Sequence, residues 1–142
     1  MREEVGFVSP DDAPWVEAME GVWIRLLRVM GDDRGYAAMF KFAPGTRLPR
    51  HHHLGSVHAY TLQGRWRYLE MDFVAGPGSY VYETAGSAHT LEVPAEDTEP
   101  AVVLFVVEGG MVLLADDGAP FMIWDTRAMA ELYAGGLAEV AS

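Results

Sequence analysis

The histidines of this chain are its strongest candidates for a metal-binding or catalytic site. Four of the five lie between residues 50 and 58, in the segment RHHHLGSVH, and the fifth, His89, lies 31 positions beyond His58. Imidazole nitrogen is a common ligand of divalent metals. Because the chain has no cysteine, a metal site would have to use histidine nitrogen or carboxylate oxygen. The cluster therefore raises the question of a metal centre.

Strand alternation decides which of these imidazoles could act together. Side chains two residues apart share one face of a β-strand, so we expect His51 and His53 to point the same way and His52 the other way. His58 follows after a linker short enough to bring the next strand alongside, and His89 follows a glycine-containing turn. Three or four imidazoles could therefore converge inside one barrel.

The sequence around these histidines predicts a series of short strands. Apolar or alternating runs are separated by turn segments such as GDDRG, APG, AGPG and ADDG, a pattern typical of a sandwich or closed barrel of eight or more strands. We expect one domain, with an extended N-terminal arm over 1–20, a β-barrel over 21–124, and a C-terminal helix and tail over 125–142. Asp125 is the expected N-cap of a helix over 126–133, which the following glycine pair would end.

Composition limits the classes of function. The formal net charge is −11 and only ten residues are lysine or arginine, so the chain would be repelled by nucleic acid and by anionic membranes. The N-terminal segment MREEVGFVSPDDAP is acidic and has no apolar core of a signal peptide, and no apolar run reaches transmembrane length. We therefore expect a cytoplasmic protein that binds neither nucleic acid nor membrane.

Glycines and histidines recur with a defined spacing in two segments. They read Gly45-x5-His51-x-His53-x4-His58-x5-Gly64 and Gly78-x5-Thr84-x-Gly86-x2-His89. This spacing resembles the two motifs of the cupin superfamily, except that His58 stands where most cupins carry a glutamate ligand and Thr84 where the second motif usually has proline. The resemblance implies an all-β double-stranded β-helix, or jelly-roll barrel. It also implies one mononuclear divalent metal and a homo-oligomer, either a dimer or a tetramer.

Within the cupins, roughly residues 20–135 resemble the three-histidine iron dioxygenases, namely acetylacetone dioxygenase and 2,4'-dihydroxyacetophenone dioxygenase, and the anti-sigma-factor cupin-like domains. The dioxygenase resemblance implies Fe(II), with zinc, nickel or manganese as other ions such a site takes. The implied reaction is cleavage of a C–C bond in a β-diketone or aryl hydroxy-ketone by O2. The alternatives are a zinc-binding sensor or interaction module and a zinc-dependent isomerase or hydrolase.

The expected metal ligands are His51, His53 and His89. His58 has three interpretations: a fourth ligand, a hydrogen-bonding group near the substrate, or a core histidine whose ring is satisfied by backbone. The first two are favoured because His58 occupies the position of the usual inward-facing glutamate.

Other residues are candidates for a role beside the metal. Glu83 could orient a ligand imidazole or accept a substrate proton, or it could be an exposed charge at a strand end. Tyr60 has the same strand parity as His58 and is expected to face inward as a candidate catalytic residue. Trp66 and Tyr68 are also expected to face inward, and for all three residues barrel packing is favoured over contact with the substrate. Three further residues could line the cavity: Met39, Phe105 and Trp124.

Overall fold

The computed structural model describes residues 5–141, and strands make up most of its regular structure. In chain order, its strands are β1 (Val16–Met19), β2 (Val22–Met30), β3 (Gly35–Phe42), β4 (Arg47–His53), β5 (Val57–Gln63), β6 (Arg67–Tyr68), β7 (Tyr80–Glu83), β8 (Ala88–Glu92), β9 (Ala101–Glu108), β10 (Gly110–Leu114) and β11 (Pro120–Asp125). A 3-10 helix, Pro10–Asp12, precedes β1, and an α-helix, α1 (Thr126–Ala141), follows β11. No helix within residues 5–141 is long and apolar enough to cross a membrane. The all-β prediction with a C-terminal helix is confirmed.

The strands form two antiparallel sheets that enclose the core. One sheet has the order β1-β2-β3-β9-β5-β7 and the other β11-β10-β4-β8-β6. Alternation sends every second side chain inward: on β3, Ala38, Phe40 and Phe42 are buried, while Met39 and Lys41 between them are only partly covered. Each large apolar side chain buried in this way contributes roughly 1.5–3 kcal/mol. The core between the sheets is also where the candidate site lies.

The first sheet begins within the segment that was expected to be an arm. Val16 is buried and pairs with Ile24, and the turn between β1 and β2 uses Gly21 at a positive φ of 80°. The β1 strand therefore takes the edge of the six-stranded sheet, and residues 5–15 precede it. Trp15 lies against this sheet, with the Lys41 ammonium 4.6 Å from its ring centroid.

Helix α1 starts as predicted but runs further than predicted. The backbone N–H of Ala128 donates to Asp125 Oδ1 at 2.9 Å, so Asp125 caps the helix as expected. The predicted end at Gly135 and Gly136 is wrong, because the helix continues to Ala141. Gly136 lies so close to Val16 that a Cβ would be 1.9 Å from Val16 Cγ1. We infer that this close packing against β1 offsets the low helix propensity of the glycine pair.

Candidate metal centre

Two neighbouring strands carry the three expected histidine ligands. Strand β4 pairs antiparallel with β8, and this pairing places His51 directly opposite His89. The backbone N–H of His53 donates to the Ser87 carbonyl at 2.9 Å, which fixes the end of β4 against the turn before β8. All three imidazoles face the core and are at most 3% exposed, whereas His52 is partly exposed on the other face. The predicted alternation of the histidine run is confirmed.

Glu83 joins these imidazoles from the opposite sheet. It ends strand β7 and is only 5% exposed. Its Oε1 atom lies 2.8 Å from Nε2 of His53 and 2.8 Å from Nε2 of His89. Since β7 belongs to the six-stranded sheet and the histidines to the five-stranded one, the cluster spans the two layers. The interpretation of Glu83 as an exposed charge is wrong.

The polar atoms of this cluster lie close together but do not form hydrogen bonds with one another. Among the described residues, Nε2 of His53, Nε2 of His89 and Oε1 of Glu83 are buried and have no partner with hydrogen-bond geometry, despite the short distances. Ligand atoms of His51, His53 and Glu83 also lie within 4.8 Å of one another. Buried polar groups are costly without partners, and imidazole nitrogens and a carboxylate oxygen that converge in this way fit a shared cation. The residues present therefore fit a divalent metal.

The protonation state of His51 suits a metal ligand. Its Nδ1 lies 2.9 Å from the Pro49 carbonyl oxygen, which can only accept, so Nδ1 carries the proton and Nε2 keeps its lone pair. Burial, with a further contribution from neighbouring His53, lowers the pKa of His51 to about 4. The imidazole is therefore neutral near pH 7, which is the form that binds metals.

Glu83 is held as an anion by its neighbours. Burial alone would raise its pKa, but contacts with His53 and His89 outweigh burial and lower the pKa to about 2. The Tyr68 hydroxyl donates to Glu83 Oε2 at 2.7 Å, and the Tyr68 ring stacks on His89 with centroids 4.3 Å apart. Burial, together with the charge of Glu83, keeps the pKa of Tyr68 well above its usual value, so the hydroxyl remains a donor. Tyr68 thus holds one carboxylate oxygen and leaves Oε1 toward the imidazoles.

Tyr68 has a role that the sequence did not reveal. The inward orientation predicted for Trp66 and Tyr68 is confirmed, since they are 0% and 2% exposed. Trp66 serves packing, and its Nε1–H donates to the buried Thr61 hydroxyl at 2.8 Å. Alternation was the only sequence signal for Tyr68, and it could not indicate the contact with Glu83, which lies 15 residues away in the chain.

His58 and Tyr60 do not face the core. On β5 the fully buried residues are Val57, Ala59 and Thr61, while His58 is half-buried and Tyr60 is 49% exposed. The predicted inward orientation of both residues is wrong, because the apolar Val57 and Ala59 take the interior positions and alternation then turns His58 and Tyr60 outward. The His58 Nδ1 atom contacts the Tyr80 hydroxyl on the outer surface of the sheet. Glu83, and not His58, is the residue that brings a further ligand atom to the cluster.

The space beside the cluster is apolar and small. Its volume is about 10 Å³, room for roughly one water molecule. Besides His51, His53 and Tyr68, the residues that line it are Phe40, Phe42, Leu48, Leu91, Phe105 and Met111. Of the three predicted lining residues, Phe105 lines the cavity, Trp124 is buried with its ring centroid 6.2 Å from that of Phe40, and Met39 lies on the outer face of β3.

Comparisons with known proteins agree with this fold. Residues 3–112 match the family model of the ChrR cupin-like domain. A crystal structure of an RmlC-like cupin from Ralstonia eutropha JMP134 is 29% identical with a TM-score of 0.87, over 93% of this chain and 86% of that one. A second protein from that organism, of unknown function with a cupin-like fold, is 27% identical with a TM-score of 0.90, over 99% of this chain and 90% of that one.

An acetylacetone dioxygenase from Acinetobacter johnsonii shares the fold at 17% identity and a TM-score of 0.81, over 96% of this chain and 94% of that one. No curated protein sequence matches the chain. The family model spans most of the chain, and the predicted resemblance to cupins is confirmed. The chain belongs to the family of ChrR cupin-like domains.

Proposed function

We propose that this protein is a mononuclear non-haem metal-dependent dioxygenase. Its metal would be Fe(II), and it would use O2 to cleave a C–C bond in a β-diketone or an aryl hydroxy-ketone. The observation that carries the proposal is the convergence of buried imidazole Nε2 atoms and Glu83 Oε1, without hydrogen-bond partners of their own, beside an apolar cavity. The acetylacetone dioxygenase with this fold supports the substrate class.

Four side chains would hold the metal: His51, His53, His89 and Glu83. Three nitrogens and one oxygen suit Fe(II), and they also suit zinc, nickel or manganese. Bound there, Fe(II) would lower the pKa of an enol and mediate electron transfer to O2 from the enolate, which is the group that is oxidised. The carboxylate would cancel part of the charge of the dication, so the centre differs from a set of three neutral imidazoles.

Glu83 suits charge compensation better than proton transfer. A carboxylate with a pKa of about 2 is almost never protonated near pH 7, and it is a weak base for a substrate whose pKa lies far above it. We therefore assign Glu83 to the metal, and not to the catalytic-base role considered from the sequence. Tyr68 positions it through the hydrogen bond to Oε2.

The cavity favours the smaller of the two substrate classes. Phe40 and Phe105 exclude water and offer apolar contact to alkyl substituents. With a volume of about 10 Å³, the cavity accepts a substrate only if lining side chains move, and Met111 is the most adaptable of them. A small β-diketone requires less displacement than an aryl hydroxy-ketone.

The proposal is tested by O2 consumption of the anaerobically reconstituted Fe(II) protein. We expect uptake with pentane-2,4-dione, giving one carboxylic acid and one 2-oxoaldehyde per O2 consumed, and slower uptake with an aryl hydroxy-ketone, giving two carboxylic acids. His53→Ala should abolish uptake, whereas His58→Ala, a matched change at an outward histidine, should retain it. A fully iron-loaded protein that consumes no O2 across the ketone panel would contradict the proposed reaction.

A second function is favoured by the size of the cavity. A closed set of four protein ligands beside almost no free volume is typical of structural zinc sites. The protein would then be a zinc-binding sensor or interaction module, as expected for a relative of the anti-sigma cupin-like domains. Zinc binding that stabilises the fold, with no O2 uptake by the iron form, distinguishes this function from the dioxygenase.

A further inference from the structure

A groove opens at the end of the barrel where the candidate metal centre lies. Its volume is about 520 Å³. The residues that line it lie at the ends of β2 and β9 and in the turns after β2, β4 and β9: Met30, Arg34, Leu54, Gly55, Glu108 and Gly109. We call it the end groove. It is large enough to hold a small organic molecule, whereas the cavity beside the imidazoles holds roughly one water molecule.

The end groove and the cavity are formed by neighbouring residues of the same segments. His53 lines the cavity, and the next residue, Leu54, lines the groove. Met111 lines the cavity two residues after Gly109 of the groove. The backbone N–H of Leu54 donates to the Gly110 carbonyl at 2.9 Å, which joins the two segments. A molecule in the groove therefore lies beside residues that lead directly into the cavity.

Strand register places Glu83 at this end of the barrel as well. Val57 pairs with Glu83 of β7 on one side and with Val107 of β9 on the other. Glu108, the residue after Val107, lines the end groove. Both sheets therefore bring their parts of the metal centre to the end of the barrel where the groove opens.

Two side chains lie on the path from the end groove to the cavity. Leu54 is 49% exposed, and Met111 is 4% exposed. A Cβ on Gly109 would lie 3.5 Å from Leu54 Cβ, so Leu54 lies against the turn that leads to Met111. Methionine is unbranched and adopts other conformations easily. Movement of these two side chains would therefore connect the groove with the cavity.

The charges along this path favour a neutral ligand. The end groove has one guanidinium, that of Arg34, and one carboxylate, that of Glu108, and their charges offset each other. Of the described residues that line the cavity, none is a lysine or an arginine. An anion would have to lose its hydration in this apolar space, and it would be repelled by a chain with a net charge of −11. A neutral molecule avoids both costs.

We propose that a small neutral ketone reaches the metal through the end groove, and that Leu54 and Met111 are the side chains it displaces. A ketone of the same size that carries a carboxylate is excluded by its charge. The inference rests on the proposed function for the class of ligand. The route itself can be tested without O2, because a ligand can enter a zinc-loaded protein that does not oxidise it.

A chemical block of the end groove tests the route. The chain has no cysteine, so an introduced cysteine can be labelled selectively. Biotin maleimide on Leu54→Cys places a bulky group in the end groove. Val74→Cys is the matched control, since Val74 is 52% exposed and lines a second groove of about 420 Å³. That groove also contains Glu92, at the other end of β8 from His89.

Stopped-flow tryptophan fluorescence of zinc-loaded protein measures how fast pentane-2,4-dione binds. Trp66 can report binding, because its ring centroid lies 6.1 Å from that of Phe105, which lines the cavity. We expect the label on Leu54→Cys to slow binding at least about tenfold relative to the unlabelled variant, and the label on Val74→Cys to leave the rate unchanged. Circular dichroism and zinc content check that each labelled protein is folded and still loaded.

Acetoacetate tests the selection by charge. It has a negatively charged oxygen in place of one methyl group of pentane-2,4-dione, so the two molecules are similar in size. We expect acetoacetate to bind the wild type at least about tenfold more slowly than the diketone. Equal rates would overturn the proposed selection of neutral ligands.

Several results would overturn the route. They are a zinc-loaded wild type that binds no diketone, a label on Leu54→Cys without effect, and an equal slowing by the label on Val74→Cys. O2 uptake by the iron form separates this inference from the proposed function. If labelled Leu54→Cys consumes O2 at the unlabelled rate, the reaction stands and the route is wrong. If the label blocks diketone binding and the iron form consumes no O2, the route stands and the reaction is wrong.

Discussion

At the scale of single residues, the centre depends on how one carboxylate is held. Glu83 contacts two imidazoles through Oε1 and the Tyr68 hydroxyl through Oε2. If the hydroxyl were removed, Glu83 could rotate and Oε1 would no longer be fixed toward the ligand nitrogens. Residues that orient metal ligands in this way commonly matter 10- to 100-fold for affinity.

Tyr68→Phe removes the hydroxyl and keeps the ring that stacks on His89. We expect metal affinity to fall about 10- to 100-fold, because Glu83 loses the donor that orients it. Competition with a fluorescent chelator measures the affinity. Tyr133→Phe is the control: its hydroxyl donates to the Pro14 carbonyl at 2.7 Å, far from the centre in the chain, so it should cost stability and leave metal affinity unchanged. Equal losses of affinity in both variants would contradict this role of Tyr68.

The site residues were predicted from the alternation of side chains along each strand, and this worked only where the strand's inward-facing positions were known. Within the run of histidines, alternation alone separated His51 and His53 from His52. Alternation gave the wrong orientation for His58 and Tyr60. The connection between β4 and β5 decides which residues of β5 face inward, and its conformation cannot be predicted from the sequence. The sequence offered Glu83 only as a candidate, since its place among the imidazoles arises from the packing of two sheets.

At the scale of elements, helix α1 shows how tertiary packing changes a boundary. Its start is encoded locally, by Asp125 and the backbone of Ala128. Its end is not, because the close contact between Gly136 and Val16 joins residues 120 positions apart. Local signals therefore predicted that the helix exists and where it begins. They placed its end at the glycine pair, although Gly136 lies within the helix and packs against Val16.

The two glycines of α1 should respond in opposite ways to the same substitution. Gly136→Ala places a Cβ 1.9 Å from Val16 Cγ1, and overpacking of this kind costs about 1–3 kcal/mol, enough to outweigh the better helix propensity of alanine. Gly135→Ala meets nothing within 4 Å and should stabilise the protein by up to about 1 kcal/mol. Urea denaturation measures both changes. A stabilising Gly136→Ala would show that α1 does not pack on β1 as described.

At the scale of the whole molecule, the centre connects the two sheets. The histidines come from β4 and β8 of one sheet and Glu83 from β7 of the other. A metal held by all four would cross-link the layers, and it would bind the folded state far better than the unfolded chain. Binding would therefore stabilise the protein as a whole.

Metal should raise the melting temperature of the wild type. At a free concentration of 100 times the dissociation constant, binding contributes about 2.7 kcal/mol. For a domain of this size that corresponds to a rise on the order of 10 °C. Calorimetry of chelator-treated protein, with and without added divalent metal, measures the shift. Glu83→Ala should reduce the shift strongly, and an unchanged shift in this variant would exclude the carboxylate from the centre.

In the proposed centre, buried imidazoles of β4 and β8 hold one metal, and the outward histidine of β5 does not take part. Metal content per chain, determined for protein produced in iron-rich medium, tests it most directly. We expect close to one divalent ion per chain in the wild type and in His58→Ala, and close to none in His53→Ala. A wild type without bound metal, or a His58→Ala protein that has lost its metal while remaining folded, would contradict this assignment of the ligands.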